Sequence, residues 1–345
     1  MTDVRMVGAA EPASRAGRRA LSRRAVGVVA AAVIAAVVGL GPVPAAAATG
    51  QTPAQLAAAN GFYADPDFHP TRWVAEHPDD VRAPAIRSAL AGRAGAAWFG
   101  GWSGDIRSAV DRYVSSAAAR GQVPVLVAYN VPGRDCGGES GGGASTTAGY
   151  RRWITDFAAG VAGRPSIIIV EPDAVAHVDC LTEAQRTVRF ASIAYAVDAF
   201  GGQAWTYVDG GNAHWVDADT MAARLVRAGV SRARGFAVNV SNFFTTAEST
   251  GYADAVNARL AARGQTARPY VVDTSRNGNG GVPGQWCNPV GAKLGVTSRP
   301  HGSGAEFLLW IKVPGDSDGA CPGRVGDVPA GTFSPDLASW LISGT

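Results

Sequence analysis

The sequence predicts an α/β fold in one domain, a TIM-like parallel β/α barrel of seven strands. Three observations carry this. Seven apolar runs recur along the chain, most of them separated by segments with helical period. Inside the runs the apolar residues are continuous rather than alternating, as expected where helices cover both faces of a parallel sheet. Acids stand just past most of the runs, and a barrel gathers its C-terminal strand ends on one face. No Gly-x-Gly-x-x-Gly follows the first run, which disfavours an open dinucleotide-binding sheet.

The chain has 345 residues, and its first 48 read as a secretory signal peptide. Arg18, Arg19, Arg23 and Arg24 precede an apolar run, and small residues follow where a signal peptidase cuts. "SRRAV" at 22–26 has the paired arginines of a twin-arginine leader. Residues 49–60 look like a flexible, low-complexity lead-in, so the folded domain is expected over 61–345. Without residues 1–48 the 31 basic residues fall to 25 and the 28 acidic ones to 26, a net of about −1. A near-neutral surface gives no electrostatic reason to bind nucleic acid. An extracellular monomer, with no membrane association once the leader is removed, is the expectation.

Strand-like runs occupy 96–102, 123–130, 166–173, 203–210, 234–242, 268–275 and 306–315. Helical segments at 105–121, 148–163, 181–202 and 252–264 alternate with them. Cys136, Cys180, Cys287 and Cys321 form no Cys-x-x-Cys, so disulfides are expected and zinc is not. Three pairings are possible.

Asp135 follows the second strand, Asp173 the third, Asp209 the fourth, Asp273 the sixth, and Asp316 and Asp318 the seventh. Helix N-capping would account for one or two of these, Asp209 and Asp273 first. The set implies a shared mouth. Only five histidines are present, without His-x-His or His-Glu-x-x-His, so no metal or other cofactor is expected. An oxygen-only magnesium site is the one metal alternative. Clustered carboxylates raise one another's pKa, so one can stay protonated as a donor while another stays ionised. Glycoside hydrolysis needs that pair. Trp98, Trp102, Tyr129, Trp215, Trp286 and Trp310 at or near strand ends suit sugar rings. Trp310, inside an apolar run, reads as core. No Gly-x-Ser-x-Gly follows a strand, which argues against a serine hydrolase.

Six ordered motifs, "YNVPGRDCGGESGGG", "IIIVEPD", "VDGGNAHW", "DTSRNGNG", "WCNP" and "LWIKVPGDSDG", resemble glycoside hydrolase family 6, the secreted cellulases. The resemblance spans Phe62 to the C-terminus. It implies a distorted seven-stranded barrel and hydrolysis of β-1,4-glucan with inversion. It makes Asp173 the general acid, Asp135 the acid that keeps the donor protonated, and Asp318 the candidate base. Tyr129 would crowd the sugar at the cleavage point. Trp98 and Trp286 would stack on sugars, with Asp209, Asn239, Lys312 and Asp316 as polar substrate or network positions. Arg134 would ion-pair within the acidic cluster. The implied disulfides are Cys136–Cys180 and Cys287–Cys321. Asp316 stands where relatives commonly have Glu, so its contact is expected through water. The short segment from 273 to 310 favours an open cleft and endo action. The alternatives are cellobiohydrolase-type exo action and a non-catalytic carbohydrate-binding barrel.

Overall fold

Alternate residues along the strands belong to two different cores. In the computed structural model, which describes residues 51–345 apart from 202, 203, 303 and 322–327, β2 (Val125–Ala128) and β3 (Ser166–Val170) are buried along their whole length. Val125, Val127, Ile167 and Ile169 point to the barrel interior with Tyr207, Val271 and Phe307. Leu126, Ala128, Ile168 and Val170 pack outward against the helices. A strand covered on both sides has no polar face, which is why the runs are continuous.

The remaining strands are β1 (Ala97–Phe99), β4 (Ala204–Asp209), β5 (Gly235–Val238), β6 (Tyr270–Asp273), β7 (Arg299–Pro300) and β8 (Phe307–Leu309). They form one sheet in the order β1-β2-β3-β4-β5-β6-β8-β7. All pairs are parallel except β7 with β8. The seven expected strands are therefore present, with β7 as a short antiparallel addition at the edge. Among the described residues β1 and β8 form no ladder. Ala96 N–H donates to Trp310 O at 2.9 Å and Trp98 Nε1 to Ile311 O at 2.7 Å across that seam. This is the distortion of the barrel.

The helices begin where short polar side chains cap them. Asp105 caps α4 (Ile106–Ala119), Thr146 caps α5 (Thr147–Val161), and Thr182 with Gln185 forms a capping box on α6 (Glu183–Ala199). Asp217 caps α7 (Ala218–Arg227), and Thr245 with Glu248 boxes α8 (Thr246–Ala262). Asp209 and Asp273 cap nothing. Residues 53–60, read above as a flexible lead-in, form α1 (Pro53–Asn60), and its Leu56 and Ala57 join the interior core. α2 (His69–Glu76), α3 (Ala83–Ala89) and α9 (Pro335–Ser343) complete the fold. The expected signal peptide lies outside the described residues.

Candidate active site

Parallel register puts the strand ends side by side: Ala128 opposite Val170, Val170 opposite Val208, Asp209 opposite Ala237, and Asp273 opposite Leu309. The segments beyond them carry Tyr129, Asp135, Asp173, Asp209, Lys312 and Asp318 to one mouth. The backbone there is unusual. Asp135, Cys136, Glu171, Asp173, Asn239 and Ser241 all have positive φ between 48° and 67°.

The acids differ by environment. Asp273 is a staple: Ser241 and Lys312 N–H donate to Oδ2, Ser275 and Ile311 N–H to Oδ1, at 2.9–3.2 Å. It holds three strand-end segments together. Asp209 is buried and accepts from Asp173 N–H at 2.9 Å and Gly211 N–H at 3.3 Å. Burial pushes its carboxyl up to about 7 against those donors. Asp173 is partly exposed, and its carboxyl lies well above the usual range, through burial first and then the charges of Asp209 and Asp135. Asp135 accepts from Ser140 N–H at 2.8 Å and sits 3.4 Å from His177 Nδ1.

Asp318 goes the other way. Burial works to raise its pKa, but Arg276 at 2.9 Å and Lys312 at 3.4 Å, with Asn288 N–H at 3.1 Å, hold it below the usual range. The mouth thus contains carboxyls that favour their protons, Asp173 and Asp209, and one that favours its charge, Asp318. Pushing two carboxyls apart is how one site runs acid and base chemistry at a single pH.

Trp98 stands edge-on to Tyr129, with ring centres 5.2 Å apart. Burial, then the charge of Asp173, raises the Tyr129 phenol well above its ordinary pKa, so it is neutral. Trp102, Trp215 and Trp286 are 58%, 40% and 53% exposed, leaving large aromatic surface free. Trp310 is core. Both expected disulfides are formed, Cys136–Cys180 and Cys287–Cys321, with Cα separations of 5.9 and 5.8 Å.

Residues 57–343 match the profile of glycosyl hydrolases family 6. The chain belongs to this family. It is 50% identical over 289 residues to Endoglucanase 1 of Streptomyces halstedii, covering 83% of this chain and 89% of that protein. It is 41% identical over 280 residues to Endoglucanase 1 of Streptomyces sp. (strain KSM-9), covering 79% and 75%. The solved endoglucanase Cel6 of Mycobacterium tuberculosis, in complex with methyl-cellobiosyl-4-deoxy-4-thio-β-D-cellobioside, superposes with a TM-score of 0.75 at 40% identity, covering 82% and 96%. As a family 6 member the chain is a glycoside hydrolase.

Three expectations for this family 6 mouth change. Arg134 makes no ion pair among the described residues. Its Nε donates to Ser140 O at 2.7 Å and its Nη1 to Tyr129 O at 2.9 Å, and it stacks on Tyr129 and Trp102. The guanidinium is consumed closing its own loop, and Arg276 takes the ion pair instead. Asn239 is fully buried; its Nδ2 donates to Phe244 O and Asp273 O, and its Oδ1 accepts from Phe244 N–H. With its amide committed to backbone, it is a strut rather than a substrate contact. Asp316 is buried with both oxygens 2.9 Å from His69 Nδ1, so it is met by an imidazole rather than reached through water. The sequence reading missed Arg276, His69 and Asn288. Arg276 lies inside a quoted motif, but His69 is 247 residues from its partner and gives no local signal.

The raised carboxyls make stability depend on pH. An acid whose pKa rises on folding stabilises fully below its unfolded pKa and loses that contribution as pH climbs through the folded value. Glu171 and Asp209 both lie at about 7, lifted by burial. The thermal midpoint is therefore expected to fall between pH 5 and pH 8. Asp209→Asn should flatten the fall by a few kcal/mol, since each pKa unit is worth about 1.4 kcal/mol. Calorimetry at the two pH values checks it; a midpoint that rises toward pH 8 in the parent chain contradicts it.

Proposed function

We propose that this family 6 hydrolase is an exported, inverting endo-β-1,4-glucanase that acts as a monomer on cellulose and soluble β-1,4-glucans. The observation that carries the mechanism is the opposite displacement of Asp173 and Asp318. Asp173, protonated, donates to the glycosidic oxygen as the C1–O bond breaks. Asp318, ionised, takes a proton from the water whose oxygen bonds C1 from the other face. Asp173 ends ionised and Asp318 protonated, and exchange with solvent resets both. Asp135 supports the proton on Asp173 and relays protons from water. Lys312 keeps Asp318 charged, and Trp98 and Trp286 stack on glucose rings.

Endo action is supported by the relatives' names and by the uncovered Trp102, Trp215 and Trp286. β-1,4-Glucan as the substrate is supported by the thio-linked cello-oligosaccharide bound to the Mycobacterium tuberculosis enzyme. Export is supported by the leader sequence and two disulfides.

The test is proton NMR of a soluble cello-oligosaccharide digest, read before mutarotation. The new reducing end is expected as the α-anomer. Early β-anomer would require a carboxylate nucleophile and would end the assignment of Asp318 as base.

A further inference from the structure

The loop from Tyr129 to Asp135 carries two groups of the mouth; Tyr129 and Val131 are sunk in the two cores, but Pro132 and Gly133 between them and Asp135 are not. A pocket of about 420 Å³ lies against Val131, Pro132 and Gly133, bounded on its far side by Leu181, Val188 and Arg189. Apolar contact on that side therefore falls to Val131, and Pro132 and Gly133 need another hold. Two buried ionisable side chains hold the backbone there.

Glu171 at the end of β3 is fully buried. Both of its oxygens accept from Asn130 N–H at 3.0 Å, and Oε2 accepts from Val131 N–H at 2.9 Å. Arg189 on α6 is 4% exposed. Its Nη2 donates to Pro132 O and Gly133 O, both at 2.9 Å, and its Nη1 to Ala174 O at 3.4 Å. Four consecutive residues are thus gripped by opposite polarities, N–H groups by the acid and carbonyls by the arginine. The chemistry suits the residue types: a carboxylate accepts several donors at once, and a planar guanidinium serves several acceptors. The Ala174 contact ties the grip to the segment just past Asp173.

We infer that Glu171 and Arg189 are positioning residues, a backbone clamp that sets Tyr129 and Asp135 against Asp173. The inference rests on the roles proposed above for Asp173 and Asp135. It also separates the two acids of Glu-Pro-Asp: one holds the neighbouring loop and the other reacts.

Glu171→Gln would turn an amide N–H toward backbone N–H groups, and Arg189→Lys would keep the charge but lose the fork. Both would be assayed on a soluble cello-oligosaccharide, with binding-competent sites counted by titration with a non-hydrolysable thio-linked analogue. Because misplacement of about 1 Å can cost on the order of 100-fold, kcat per site is expected to fall about 30-fold or more, with Kd for the analogue changed less than about threefold. Glu171→Asp should recover part of the loss. A purely structural role would reduce the number of sites and leave kcat per site within about twofold, which would overturn the clamp. Parallel loss of Kd and kcat would overturn it too. Should Glu171→Gln fail to fold, Arg189→Lys decides. Asp173→Asn run alongside separates the two readings. If it stays active, the assigned acid is wrong; if it is inactive while both clamp variants keep their kcat, only the clamp is.

Discussion

Asp173→Asn is expected to lower kcat on cello-oligosaccharides by about 10²–10⁴-fold, the range general acid catalysis supplies. The deficit should shrink on an aryl cellobioside with a dinitrophenol leaving group, which departs without a proton. Substrate affinity should change little, because the amide keeps the size of the carboxyl. The same variant is expected to unfold at the same temperature or higher. Asp173 is partly exposed, but its carboxyl sits beside Asp209 and Asp135 where desolvation and like charge resist ionisation, so the neutral amide removes a cost carried for chemistry. Steady-state kinetics on both substrates and a melting curve test this together. A loss of less than about tenfold on the oligosaccharide, or equal losses on both substrates, would remove Asp173 from the donor role.

Arg276→Met should have the largest effect on stability. Arg276 is buried, pairs with Asp318 at 2.9 Å, donates to Ser241 O, and lies 4.1 Å from the centre of the Phe243 ring. Removing one partner of a buried pair costs about 3–5 kcal/mol where the other charge is left uncompensated. Here Lys312 at 3.4 Å would be the cation remaining beside Asp318. The sign with pH follows from Asp318. Its folded pKa lies below the unfolded one, so its stabilisation is present above the unfolded value and lost as pH falls through the folded value. Without Arg276 burial wins, the Asp318 pKa rises, and the base is protonated at a higher pH. The acidic limb of kcat should therefore move upward, and the variant's stability deficit should be largest near neutral pH and shrink as pH falls. Urea unfolding and a pH–rate profile read the two effects. Destabilisation below about 1 kcal/mol with an unmoved limb would show that Lys312 alone holds the charge.

Much of the frame was legible because it follows from local rules. β2 is apolar throughout and β3 from Ile167 onward since each side faces a core, and α6 and α8 announce their starts with capping boxes. The acids at strand ends were legible as a set, because parallel strands deliver their ends to one face. Their individual tasks were not. Asp209, Asp273 and Asp318 are the same side chain in similar sequence positions. What divides them is the number of backbone donors and cations around each, and those come from other strands. Arg134 and Arg276 illustrate this. Both lie in polar, glycine-rich motifs, but one curls onto carbonyls of its own loop while the other crosses to Asp318 from β6. Asn239 could not be told from a substrate contact without knowing that it faces Asp273 rather than the mouth. The two ends of the chain also conceal their pairings, as His69 with Asp316 and Arg82 with Asp336 show.

The left-handed backbone at Asp135, Cys136, Glu171, Asp173, Asn239 and Ser241 has an evolutionary consequence. Each such non-glycine residue costs on the order of 1 kcal/mol that glycine would avoid. A library of this chain selected for heat tolerance alone would gain by placing glycine at Asp135 or Asp173 and would lose its chemistry in the process. Selected for turnover as well, it would keep those positions and accumulate its gains on the outer faces of the helices. Comparing the two lineages would mark out the mouth by where they disagree, before any substrate was bound to it.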